Sequence, residues 1–329
     1  MNPASKRRFH GLSSRCRYWA CAALLLSLLL SLLWPASAAL AAAPRIIVIY
    51  PEAKGGYATL FEKIIRGIEE ATKGVIIPLE VPRDPDLTAL QQNIEQQPSD
   101  VVIALGRRGI NTAKALRLKA PVIAGGLLSM SEADMKTYPA ISLLPQPSLL
   151  FQRLHALAPA IRRVYLVYNP ERHQWLLPLA RAAAKQQGLT LIARPATNIR
   201  AAARLYRELV GEMRSGRDAL WLLQDSTLTG DASLLSYLLQ EAWQRRLLIV
   251  SSNPAHVRRG ALFSLYADKQ GLGRDLGRFA LRVIRKGAEP GLRPTREVSI
   301  AVNMRTASHL GLRISYQQQR QFNLVFPRP

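Results

Sequence analysis

Short continuous apolar runs alternate along this chain with longer stretches whose apolar residues recur every three or four positions. The clearest instance spans Asp218–Asn253. Ala219–Leu223 is an unbroken apolar run, Gln224-Asp225-Ser226-Thr227 is polar, and Leu247–Val250 is apolar again. Between them, Leu234, Leu235, Leu238, Leu239, Ala242 and Trp243 fall on one side of a helix. Continuous runs suit strands covered on both faces, and the 3.6-residue spacing suits a helix packed on one side, so the segment predicts a β-α-β unit. The polar loop then lies at the carboxyl end of the first strand, where open parallel sheets bind ligands. Its Asp, Ser and Thr can equally cap the following helix.

The same pattern occurs earlier. Val101–Leu105 predicts a strand, Gly106-Arg107-Arg108-Gly109 a loop, Asn111–Lys119 a short helix and Pro121–Ala124 a strand ending in Gly125-Gly126. Two such units suggest two similar lobes. In the first lobe the spacing further predicts strands at Arg45–Tyr50 and Val75–Val81 and helices through Leu60–Ile68 and Leu87–Gln96. Ile141–Leu143 reads as a short strand leading to a crossing at Pro145-Gln-Pro147. Beyond that crossing, helices are expected at Leu149–Ala158, Leu176–Gln187, Ile199–Arg214, Asp268–Lys286 and Met304–His309. Strands are expected at Arg163–Tyr168, Thr190–Ala193, Ala261–Leu265 and Glu297–Val302. This alternation points to parallel sheets with helices on both faces, joined by short crossings that let the lobes move as rigid bodies.

The first forty or so residues do not fit that pattern. Lys6, Arg7, Arg8, Arg15 and Arg17 precede the apolar run Ala20–Trp34, and Ala36-Ser37-Ala38 and Ala39-Leu40-Ala41 follow as cleavage candidates. This is the layout of a secretory signal peptide over 1–41, with an uncleaved anchor as the alternative. Both cysteines, Cys16 and Cys21, lie in it, so the mature chain is expected to have no disulfide, thiol nucleophile or cysteine metal site. The sequence carries 45 Lys+Arg against 22 Asp+Glu, a net +23. Such charge suits nucleic acid, an anionic membrane or an acidic ligand. No basic helix with interleaved aromatics is present, and an exported chain is a poor match for nucleic acid, so none is expected.

Familiar catalytic patterns are missing from the sequence. There is no Gly-x-x-x-x-Gly-Lys-Ser/Thr loop and no Gly-x-Ser-x-Gly elbow, and Gly271-Leu-Gly273 lacks the third glycine of a dinucleotide fingerprint. His10, His155, His173, His256 and His309 are dispersed without metal-ligand spacing. No catalytic residues, cofactor or metal are expected, and the chain is not read as an enzyme.

Several segments, in this order and spacing, carry a family resemblance. They are Arg163–Pro170 (Arg-Val-Tyr-Leu-Val-Tyr-Asn-Pro), Ala183–Leu189, Asp218–Thr227, Arg259–Leu262, Gly273–Gly277, Val302–Ala307 and Leu310–Leu312. The chain resembles the periplasmic substrate-binding proteins of ABC transporters, within their tryptophan/tyrosine-type group. The resemblance implies an α/β type I periplasmic-binding fold: two doubly wound parallel-sheet lobes with a ligand cleft between them. It implies three crossings near Leu143, Ala267 and Pro290, which divide the chain into 42–143 plus 267–289 and 144–266 plus 290–329. It also implies a small-molecule ligand, an ABC permease in the inner membrane as partner, a periplasmic location and a monomer. A sensory or scaffold protein regulating an envelope partner is the alternative on the same fold.

The sequence departs from that family where relatives commonly carry Gly-Thr-Pro, here Gly106-Arg107-Arg108, and a Thr-Asp-Pro-like segment, here Leu127-Leu128-Ser129. Arg107 or Arg108 in the cleft would favour an anionic group, and an aromatic amino acid is not simply inherited as ligand. The candidate binding residues are Tyr50, Tyr57, Gly106, Arg107, Asn169, Asp225, Ser226, Ser252, Asn253 and Asp268, all at or beside strand ends. Asp225 and Ser226 lead because position and family pattern agree.

Overall fold

The apolar runs form strands because each is covered on both faces; in Val101–Leu105 and Asp218–Leu222 every residue is buried. The computed structural model describes residues 43–327, apart from the Tyr57 side chain, so the expected signal peptide and both cysteines lie outside the described residues. The first part of the chain contains β1 (Arg45–Pro51), α1 (Gly56–Thr72), β2 (Val75–Val81), α2 (Leu87–Glu95), β3 (Val101–Leu105), α3 (Gly106–Ala115), β4 (Val122–Leu127), α4 (Glu132–Thr137) and β5 (Pro139–Pro145). Then come α5 (Pro147–Leu157), β6 (Arg163–Tyr168), α6 (Pro170–His173), α7 (Leu177–Gln186), β7 (Thr190–Pro195), α8 (Ile199–Glu212), β8 (Asp218–Leu222) and α9 (Ser226–Thr229). The chain closes with α10 (Ala232–Gln244), β9 (Leu248–Ser251), α11 (Pro254–Arg259), β10 (Phe263–Ala267) and α12 (Lys269–Lys286). After these follow β11 (Gly291–Thr295), β12 (Val298–Asn303), α13 (Met304–His309), α14 (Tyr316–Gln319) and β13 (Leu324–Phe326).

These elements make two sheets. The first has six strands in the order β11-β5-β4-β3-β1-β2, all parallel. The second has seven, β13-β12-β10-β9-β8-β6-β7, parallel except where β12 runs against β10. Both ends of the first sheet contain a proline, Pro78 in β2 and Pro294 in β11, which lacks the N–H that a further strand would need. Each sheet has a buried apolar cluster on either face, so the fold is a pair of doubly wound α/β lobes, as the resemblance implies.

The third crossing differs from expectation. Gly291–Thr295 pairs with β5 in the first sheet, so the chain passes to the second lobe at Arg296–Glu297 rather than near Pro290. Gly-Leu-Arg-Pro-Thr has no apolar run to announce a strand; its pairing with Pro139–Ser142 and Pro145 creates it. The helix α12 leaves β10 of the second sheet and packs along α1 of the first lobe. Glycines allow that approach: a Cβ on Gly67 would collide with the Gln270 carbonyl, and one on Gly273 with the Ile64 carbonyl.

The crossings lie side by side. The Gln146 N–H donates to the Thr295 carbonyl (2.8 Å) and the Asp268 N–H to the Glu297 carbonyl (3.0 Å). Because β5, β11 and β10 all leave their sheets at their carboxyl ends, those ends of both sheets lie on the side where the lobes join. The loops after the other strands therefore border the cleft.

Candidate ligand site

On the first lobe, the cleft border begins with Tyr50 at the end of β1. Its ring is half-buried and tilted against Phe61, with centroids 6.0 Å apart. Burial, then the nearby Glu80 and Glu62, raises its hydroxyl pKa above the usual tyrosine value. Tyr57 stands in the first turn of α1.

Gly106 follows β3 directly, and here the expected loop does not exist. Leu105 is extended and serves as the N-cap, and Gly106 turns with φ +69° into α3, which ends at Ala115 where Leu116 becomes extended. The expected helix Asn111–Lys119 therefore begins five residues sooner and ends four sooner. A residue with a Cβ rarely adopts that φ, which explains a glycine at the turn. Arg107 is exposed in the first helical turn and Arg108 is half-buried. Arg107 also lies near enough to Asp134 to help lower that carboxyl's pKa, after the dominant hydrogen bond from Lys114 (2.7 Å). Leu127 and Ser129 are buried, while Leu128 packs on the second lobe's cluster and its carbonyl accepts from Ser142 Oγ at 3.0 Å.

On the second lobe, the predicted residues are strand-end polar groups that cap helices. Asn169 Oδ1 accepts from the Glu171 N–H (3.0 Å), Asn253 Oδ1 from Ala255 (3.0 Å) and Asp268 Oδ1 from Gly271 (2.5 Å). Asp225 Oδ1 accepts from both Thr227 N–H (2.8 Å) and Thr227 Oγ1 (2.7 Å). Ser226 is exposed. Ser252 is buried, its Oγ accepting from the Trp221 indole at 3.1 Å.

The structure brings Asn169 and Asp225 together: Asn169 Nδ2 donates to Thr227 Oγ1 at 3.5 Å. With them stands a group the sequence reading passed over. His173 is buried with Nδ1 3.7 Å from Asp225 Oδ2, and that oxygen has no hydrogen-bond partner among the described residues. The Tyr206 hydroxyl is likewise buried without a partner, and burial, reinforced by Asp225, raises its pKa. The Asn169 N–H donates to His173 Nδ1 (3.4 Å), which favours the neutral ring. Burial lowers the His173 pKa to about 4, outweighing the opposing pull of Asp225. The i to i+4 spacing from Asn169 to His173 was the available signal, since it returns the imidazole to the strand end.

Asp268 belongs to a separate, charged group at the crossings. Arg274 lies 3.3 Å from Glu70 and 3.9 Å from both Asp268 and Glu297, and Arg278 pairs with Glu297 at 2.6 Å. Ser299 Oγ donates to Asp268 Oδ2 at 3.3 Å. The predicted residues thus fall into a first-lobe border, a second-lobe border and a hinge group.

Two doubly wound lobes with polar strand ends facing a common hinge define the type I periplasmic-binding class. The chain belongs to a family described as ABC transporter substrate binding protein, whose family model matches residues 84–319. Similar solved structures include the ligand-free, open form of CD0873, a substrate binding protein with adhesive properties from Clostridium difficile. It is 13% identical with a TM-score of 0.59, covering 87% of this chain and 100% of that one. An ABC domain in complex with L-Trp from Streptococcus pneumonia is 17% identical with a TM-score of 0.52, covering 87% and 100%. A conserved domain protein from Vibrio cholerae is 15% identical with a TM-score of 0.51, covering 86% and 99%. No curated protein matches the sequence.

Proposed function

We propose that the protein is the solute-binding component of an ABC transporter. It takes a small amino-acid-like or anionic ligand between its lobes in the periplasm and delivers it to an inner-membrane permease, without catalysing a reaction. The observation that supports this most directly is the placement of three short crossings at the carboxyl ends of both sheets, which leaves polar strand ends on either side of one hinge. The family match supports the class of activity. The L-Trp held by the pneumococcal relative makes amino acids the first ligands to try. Arg107, exposed at the start of α3, supplies a cation for a carboxylate or phosphate. Among the described residues no helix is long and apolar enough to cross a membrane.

The test is a thermal-shift screen of the purified protein against amino acids, small carboxylates, phosphorylated compounds and sugars. A true ligand raises the midpoint by an amount that grows with its concentration over its Kd. The hit is then measured on Asp225→Asn, which keeps Oδ1 for the cap and removes the charge. An amino-bearing ligand paired with Asp225 loses affinity in that variant while the unliganded midpoint holds. Equal affinity would leave Asp225 with capping alone, and no hit in any class would overturn the transport reading.

A further inference from the structure

Two adjoining depressions of about 490 and about 670 Å³ lie on the second lobe and include none of the strand-end candidates. Arg258, Asn303 and Arg305 line both, so the two form one groove with arginines at its middle. Its larger end is apolar, formed by Leu324, Phe326 and Pro327. The other end has Leu239, Leu247 and Leu310 beside Trp243, with His309 stacked on the Trp243 ring at 3.7 Å and Arg305 5.3 Å from it. Leu247, Gly260 and Asn303 are at the amino-terminal ends of the parallel strands, so this end of the groove is opposite the crossings.

Among the described residues the charge of the groove is unanswered, and no Asp or Glu lines either depression. Arg258 and Arg305 are exposed, and neither has an ion pair or a side-chain hydrogen bond among the described residues. Arg259, by contrast, is held by the Ala232 carbonyl (3.1 Å) and Ser236 Oγ (2.7 Å). The walls are fixed from within, because Asn303 Nδ2 donates to the Val257 carbonyl (2.9 Å) and Thr306 Oγ1 to that of Gly260 (3.0 Å).

We infer that this groove docks a short acidic segment of another protein, with carboxylates at Arg258 and Arg305 and apolar side chains at either end. An extended occupant is favoured because the apolar sites are separate and flank the charges, whereas a small ligand calls for one enclosed cleft. A recessed groove also suits a peptide better than a flat lipid surface. This chain is a poor source of the occupant: with 45 Lys+Arg against 22 Asp+Glu, a second copy repels more than it complements.

The test is to select short random peptides displayed on phage against the purified protein. The expected winners combine Asp or Glu with Leu, Phe or similar residues. Their affinity should fall roughly tenfold or more in Arg258→Glu/Arg305→Glu. It should hold in the control Arg200→Glu/Arg207→Glu, whose exposed arginines are on α8. Circular dichroism melting of both variants separates loss of binding from loss of fold, and ligand capture in the cleft should survive in both. The inference is overturned if acidic sequences are not enriched or if the two double variants behave alike. It is equally overturned if inorganic phosphate or phosphatidylglycerol vesicles, rather than peptide, account for the binding lost with Arg258 and Arg305.

Discussion

Asp225 has one carboxylate oxygen satisfied by Thr227 and the other buried beside a histidine with no hydrogen-bond partner among the described residues, so the helix cap and the unpartnered oxygen belong to two different atoms. The same residue scale governs the response to acid. His173 and His256 both have pKa values lowered to about 4, chiefly by burial, with Arg172 adding to the effect at His173 and Arg259 at His256. An unfolded histidine titrates near 6.5, so between about 6.5 and 4 the unfolded chain binds more protons than the folded one. Their contribution is therefore complete above that window and declines as pH falls through it, by on the order of 2 kcal/mol each near pH 5. Thermal melts from pH 7 to 5 should show a falling midpoint. His256→Gln should start lower, losing the 2.9 Å contact with Ser251 Oγ, but fall less steeply. Parallel slopes for the two proteins would show that His256 titrates normally.

Among the elements, the α1–α12 contact decides whether α12, which leaves the second sheet, can seat in the core of the first lobe. Glycine inside a helix is ordinarily a weakness, and alanine there gains about 0.5–1 kcal/mol. At Gly273 the sign should reverse, because the added methyl meets the Ile64 carbonyl and backbone must shift, at a cost of about 1–3 kcal/mol. Gly211, near the end of α8, has nothing within 4 Å of an added Cβ and is the control. Chemical denaturation should find Gly211→Ala neutral or stabilised and Gly273→Ala destabilised. A stabilised Gly273→Ala would mean the helices are further apart than described. Strand legibility followed the same logic. Val101–Leu105 and Asp218–Leu222 were readable because burial on both faces leaves an apolar run. Gly291–Thr295 and Leu324–Phe326, edge strands with few apolar residues or only three in all, were not.

At the scale of the molecule, three short crossings tie the lobes together, and a charged group holds two of them to the first lobe. Arg278 and Arg274 on α12 reach Glu297 in the third crossing, and Arg274 also reaches Asp268 in the second. Such a joint permits rotation of lobes that are themselves rigid. Small-angle scattering should show the radius of gyration falling when a saturating ligand from the thermal screen is added, with hydrogen exchange inside the sheets unchanged. An unchanged radius with confirmed binding would show that ligand is held without closure.

The sequence by itself determined the alternation of strands and helices, the pair of similar lobes and the polar identity of the strand ends, because each depends on local spacing of apolar residues or on a single capping position. It placed Asn169, Asp225, Asn253 and Asp268 at strand ends, and there they are. Only the tertiary structure decided that Gly106 begins a helix, that Gly291–Thr295 joins the first sheet, and that His173 and Tyr206 gather behind Asp225. Those outcomes depend on partners far away in the chain. A hydrogen-bonding edge, a buried carboxylate or a neighbouring backbone acts through space, and no periodicity in the sequence encodes the distance across which it acts.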